Sequence, residues 1–164
     1  MIRRAMTLLE LMLVLAVLAV VAALVMPMAV HGDSVTVDAT ARLLSSDLEH
    51  AQMLALSRPD HRIALAVDED GRGWKIVDAD APGVALVDTI DASHQGRMLS
   101  VRCGEGRAAL ALDVSVGPTG SMIIFDPLGG LETLGGPAKQ LSVEIRDSSR
   151  IVSIDPDTGF VNLD

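Results

Sequence analysis

A chain of 164 residues with a formal net charge of -9 has room for one domain of ordinary size, and its acidic balance repels phosphate backbones. Arg58, His61 and Arg62, or Arg146 and Arg150, could form a local basic patch, but each group sits beside acidic residues, which argues against nucleic acid as a partner. The single cysteine, Cys103, excludes an intrachain disulfide and has no partner for a zinc site; in the strand-like stretch RMLSVRC it reads as a small buried apolar residue.

The first element in chain order is hydrophobic. Arg3 and Arg4 precede a run from Leu11 to Val30 that carries no charge. About twenty apolar residues in a helix span roughly 30 Å, the hydrocarbon thickness of a bilayer. By the positive-inside rule the arginines stay in the cytoplasm and the C-terminal domain is translocated. An ordinary secretory signal is cut after its hydrophobic stretch, and here VMPMAVHG offers only a weak site near Ala29. Glu10, immediately before the run, is the anomaly. A carboxylate in hydrocarbon costs a few kcal/mol or more and needs a partner.

Pro27 lacks an N–H and is expected to kink or locally break this helix, and Gly32 to weaken it further. Helix is expected to resume with Asp33 or Ser34 as its cap. Val37, Ala41, Leu44, Leu48, Ala51 and Ala55 recur at steps of four and three, which draws one apolar stripe on an amphipathic helix. Pro59 disfavours helix at Arg58 and sets the end.

Beyond Arg62 the period becomes two. The stretches RIALAV, WKIVDA, VALVDTI, RMLSVRC, MIIFD, LSVEIR, RIVSID and FVNL are short strand candidates. Turn signals lie between them: DEDGRG, APG, SHQG, GPTG, DPLGG, LGGP and DPDTG. A hairpin is expected at Asp70-Gly71, and another around DPDTG. The class is therefore α+β: a long N-terminal helix, then an antiparallel sheet or two-sheet sandwich.

Motifs of chemistry fail on inspection. DEDG, Asp68 to Gly71, resembles part of a calcium loop, but the twelfth position from Asp68 is Ala79, where a calcium-binding Glu is needed. Asp155 and Asp157 could share a calcium ion with a distant carboxylate, and they also fit a plain turn with Pro156 and Gly159. His31, His50, His61 and His94 show no zinc-protease spacing. Ser121 lacks the glycine frame of a nucleophile elbow. No metal or other cofactor is called for, and no enzymatic activity.

The N-terminal features together resemble the type IV prepilin signal: a short basic leader, a small residue at Ala5, then MTLLEL running into a long apolar helix with a proline. The resemblance implies cleavage between Ala5 and Met6, N-methylation at Met6, and Glu10 as the fifth residue of the processed chain. Ala5 stands where the family usually has Gly. A staggered filament of such helices can bring Glu10 of one subunit to the Met6 amine of a neighbour, which gives Glu10 a role in assembly and register.

The remainder resembles the H-type (GspH/FimT-like) minor pseudopilins. The matches are the helix end DLEHAQMLALSR (47–58), GWKIVD (73–78), Phe125, Pro127 and Gly129 in IIFDPLGG, and Thr158-Gly159 in the last turn. The implied organisation is a leader at 1–5, a transmembrane and assembly helix at 6–31, its amphipathic continuation at 32–59, and a periplasmic β-rich domain at 60–164. The implied function is that of a structural subunit of a type II secretion pseudopilus, single-pass in the inner membrane. Its partners would be other pseudopilins, the prepilin peptidase and methyltransferase, the inner-membrane secretion platform and the lipid bilayer. Two alternatives stay open: a minor type IV pilin in pilus biogenesis or DNA uptake, and a signal-anchored periplasmic binding module.

Overall fold

The computed structural model describes residues 8–86, 98–108, 111, 113–132 and 139–164, with the side chains of 22–32 outside that description. Its first element, α1 (Leu8–Ser57), is one helix of 50 residues, about 75 Å long at 1.5 Å per residue. The expected break around Pro27 and Gly32 is absent, and Asp33 and Ser34 are interior helix residues instead of caps. One proline removes a single ladder hydrogen bond, and a helix already nucleated on both sides propagates past it. The side chain of Pro27 lies outside the described residues, and the backbone is assigned helix through its position. The C-terminal end follows expectation. Arg58 N still donates to Leu54 O at 3.0 Å, Ser57 Oγ donates to the same carbonyl at 2.9 Å, and the helix stops before Pro59.

Among the described residues eight strands follow: β1 (Ile63–Val67), β2 (Gly73–Asp78), β3 (Ser100–Arg102), β4 (Ser115–Gly117), β5 (Met122–Ile124), β6 (Lys139–Ile145), β7 (Ser148–Ile154) and β8 (Val161–Leu163). They form two antiparallel four-stranded sheets, ordered β3-β2-β1-β5 and β4-β6-β7-β8. The architecture is α+β, as the change of hydrophobic period implies. Helix α1 packs on β1 of the first sheet and on β6, β7 and β8 of the second, so both sheets share its apolar stripe.

The β1–β2 hairpin turns where expected. Gly71 has φ +66°, and Asp70 Oδ1 accepts from Arg72 N at 2.9 Å, closing the turn with a side chain. This turn is not merely a solvated tip. Val116 N donates to Gly71 O at 2.7 Å, which joins the first sheet's hairpin to β4 of the second. Of VALVDTI, the described part makes only an isolated bridge, Val77 to Ala85, and the rest lies outside the described residues. Strand β4 had no visible signal, because three residues with one buried Val116 show no alternation. The β6–β7 hairpin is the longest pairing, and its Arg146-Asp147 turn contains neither Gly nor Pro. Arg146 takes φ +48° there, a conformation that costs a non-glycine residue about 1 kcal/mol.

The core is aliphatic. Val37, Ala41, Leu44, Leu48, Ala51 and Ala55, the expected stripe, are each 1% exposed or less, and Leu54 joins them. Two of the three aromatic residues, Trp74 and Phe125, are buried.

Near the end of α1 two turns are clamped together. Gln52 Nε2 donates to Gly129 O at 2.7 Å and to Thr158 O at 2.9 Å. Leu131 N donates to Pro156 O at 2.8 Å. Gly159 has φ +67°, and a Cβ there would collide with Gly129 O and lie 2.6 Å from Gln52 Nε2. Replacing Gly159 with Ala therefore combines an unfavourable backbone conformation with a clash, and is expected to cost about 2–4 kcal/mol of unfolding free energy in urea titrations. A change below about 0.5 kcal/mol would show that the two turns are not tied in solution.

Candidate assembly helix and its anchor

Every described side chain of α1 from Leu8 to Val21 is exposed. Leu8 is 77% exposed, Met12 64%, Leu15 57% and Val20 60%, so all faces of the helix are apolar and open. A helix that is apolar all round belongs in a core or in lipid. Among the described residues no helix is long and apolar enough to cross a membrane. Glu10 is the acidic residue of the first described turn of α1. The Ala5–Met6 bond lies outside the described residues.

From Val37 onward the same helix becomes one wall of the domain, and a polar cluster locks it there. Asp47 is 4% exposed and sits among Leu44, Leu48 and Ala51 of the stripe. Its Oδ2 accepts from Trp74 Nε1 at 2.8 Å. Arg107, in the short 3₁₀ turn Gly106–Ala108, grips the same carboxylate with Nη1 at 3.0 Å and Nη2 at 2.9 Å. Three segments thus meet at one buried charge: the helix, β2 and the crossover between the sheets. At the tail end of the domain, Arg146 Nη1 bonds Asp33 Oδ2 at 2.9 Å and ties the β6–β7 turn to α1.

Part of this site was legible. The stripe follows from the sequence pattern. Asp47 could have been singled out as a carboxylate on an apolar stripe, and the lone Trp74 as an indole N–H in need of an acceptor. Nothing in the sequence marks Arg107 as the partner of Asp47, or Gln52 as the clamp on the two C-terminal turns.

The other chemical candidates take structural roles. Asp155 Oδ1 accepts from Thr158 N at 2.9 Å and Thr158 Oγ1 at 2.8 Å, so this carboxylate caps its own turn. Among the described residues no group of three or more His, Cys, Asp or Glu is placed to hold a metal ion. Cys103 is buried, and that burial raises its thiol pKa, which suits a packing role over a nucleophilic one. Ser121 Oγ is buried without a hydrogen-bond partner, so no base is bonded to it. His31 and His94 lie outside the described side chains.

Several exposed carboxylates titrate below their ordinary range. The Arg42 guanidinium lowers Asp38. The Arg72 N–H lowers Asp70. The His61 ring, 2.9 Å away, lowers Asp78. The Thr158 N–H lowers Asp155. A carboxylate held below its unfolded pKa adds stability that is fully present above the unfolded value, near 4, and is lost as pH falls through the folded one.

Similarity to known proteins is confined to structure. No protein-family model matches the sequence, and no curated protein matches it. The type IV minor pilin FimU of Pseudomonas aeruginosa superimposes with a TM-score of 0.51 at 16% identity, covering 78% of this chain and 87% of that one. A second crystal form of the same protein gives a TM-score of 0.47 at 16% identity, covering 76% and 89%, and carries no weight. The fold is therefore type IV pilin-like.

Two outcomes are expected. Asp47→Ala leaves Arg107 without its carboxylate and the Trp74 indole without its acceptor, at a cost of about 3–5 kcal/mol, whereas Asp47→Asn keeps the indole bond and costs less. Trp74 fluorescence during urea unfolding reads both. In the wild type, the urea midpoint should hold steady from about pH 8 to pH 5 and fall below about pH 4. A midpoint that rises on acidification would contradict the role given to these carboxylates.

Proposed function

We propose that this chain is a non-enzymatic minor subunit of a pilin-like filament, specifically a minor pseudopilin of a type II secretion system. One observation carries the reading: a single helix that is apolar and open on all faces at one end and locked into a domain at the other. Such a helix has two suitable environments. Before assembly it lies in the inner membrane, with the β-rich domain in the periplasm. After assembly its neighbours' helices replace the lipid.

Glu10 fits both stages. Cleavage between Ala5 and Met6 by a prepilin peptidase frees an amine, which is then methylated. In the water-poor layer between packed helices, the amine of one subunit and Glu10 of its neighbour attract strongly, because little solvent screens them. The pair forms at one axial offset only, so it sets the stagger. The locked domain then moves with its helix, as a rigid passenger needs to when a filament extends.

A second reading is a minor pilin of a type IV pilus. It is favoured by the neighbour in fold being a type IV minor pilin. The two readings share the helix and the processing, and differ in the machine. A signal-anchored binding module is the third reading, and it requires neither Glu10 nor cleavage.

Intact mass and N-terminal sequencing of the full chain, co-expressed with a prepilin peptidase, test the proposal. The chain is expected to begin at N-methylated Met6. Glu10→Ala is expected to be processed but to fail to enter filaments. A chain that retains Arg3 and Arg4, together with an indifferent Glu10→Ala variant, would leave only the binding module. Deletion in the native host separates the machines: loss of protein export marks secretion, and loss of pilus-dependent motility marks the pilus.

A further inference from the structure

The junction at the far end of α1 leaves an apolar surface open. Leu128 is 89% exposed and Phe160 is 68% exposed. Each is the chain neighbour of a glycine in the Gly129–Gly159 contact. Leu56, 52% exposed, lies against Gly129, and Met53, 53% exposed, is one turn earlier on α1. Phe160 is the one aromatic side chain of three that the core does not use. A patch of this kind, rimmed by polar groups, marks a docking surface.

The rim defines the partner. The two turns, FDPLGGL (125–131) and DPDTGF (155–160), contribute Asp126, Asp155 and Asp157 and no basic residue. Asp126 Oδ1 accepts from Leu128 N at 2.8 Å and Gly130 N at 2.9 Å, and Asp155 caps its own turn. Both carboxylates are held in place beside the apolar centre by these bonds. An acidic bilayer surface or a nucleic acid is repelled by such a rim. A cationic protein face with an apolar centre fits it.

A second copy of this chain does not supply that face. Patch against patch sets the three carboxylates against themselves. Head-to-tail stacking brings the opposite end, near Asp33, about 28 Å back along the helix from Gln52. The arginines there are already engaged within the chain. Arg146 holds Asp33 at 2.9 Å, Arg42 holds Asp38 at 2.9 Å, and Arg150 reaches Asp38 at 3.5 Å.

We propose that the Leu56–Leu128–Phe160 surface docks a different pilin-like subunit, through a face that is apolar at its centre and rich in Lys or Arg at its rim. This rests on the filament reading for the class of partner. The surface joins unlike subunits, while the N-terminal helix serves contacts with any.

Site-specific photocrosslinking in the native host tests it, with a photoreactive residue at Leu128 or Phe160 of the full chain and a control at Leu13 of the assembly helix. Expected are adducts at all three positions, with those at Leu128 and Phe160 joining one pilin-like protein of different sequence through a Lys- or Arg-bearing surface, identified by mass spectrometry. Leu128→Asp, read with the probe at Phe160, should cut that adduct about tenfold or more without changing the Leu13 adduct. Adducts at Leu13 alone overturn the docking surface and leave the filament reading standing. Joining of the patch to a second copy of this chain, or to a protein without a pilin-like helix, overturns the partner assigned. Absence of any pilin-like adduct at Leu13 overturns the filament reading itself.

Discussion

Everything in this molecule hangs from one helix that has to satisfy two different surroundings. From Leu8 to Val21 it is apolar on every face. From Val37 to Ala55 only one stripe is apolar, and that stripe is the floor on which both sheets lie. No loop separates the two regimes, because the backbone stays helical from Leu8 to Ser57. The amphipathic half supplies the stability that holds the domain's end of the helix in place, since a helix gains most of its stability from packing one face.

The anchor combines non-directional and directional interactions. Apolar burial along the stripe would allow small slides of helix on sheet. The Asp47 carboxylate does not. It is fixed by an indole from β2 and a bidentate guanidinium from the crossover, and their geometry admits one register. Arg146 with Asp33 and Gln52 with the two C-terminal turns fix the ends of the same segment. The burial gives the strength of the joint and these polar contacts give its register.

Legibility in the sequence depends on how local each feature is. The helix stripe, the β1–β2 turn and the final turn are written in spacing and turn residues a few positions apart, and they appear as expected. The unbroken passage through Pro27 and Gly32 does not, because it depends on helix on both sides and not on the local residue. Strand β4 is too short to show a period. The Arg146-Asp147 turn uses no glycine, and an arginine bent to positive φ has no sequence signature. The Asp47, Gln52 and Arg146 contacts link residues far apart in the chain, so only their individual oddity could be read and not their pairing.

The two bonds from Gln52 have a consequence for the order of events during folding. Gln52 reaches Gly129 and Thr158, partners 77 and 106 residues further along. The helix is made first, yet Gln52 has neither of these two partners until Gly129 and Thr158 have been made. Topology of this kind delays native structure, since distant segments have to meet before closure is rewarded. A ribosome that pauses before Thr158 therefore holds a domain whose apolar stripe can already be covered by β1, β6 and β7 but whose last helical turns are not yet clamped. Closure of the Thr158 turn on Gln52 is thus a late mark of a correctly folded domain.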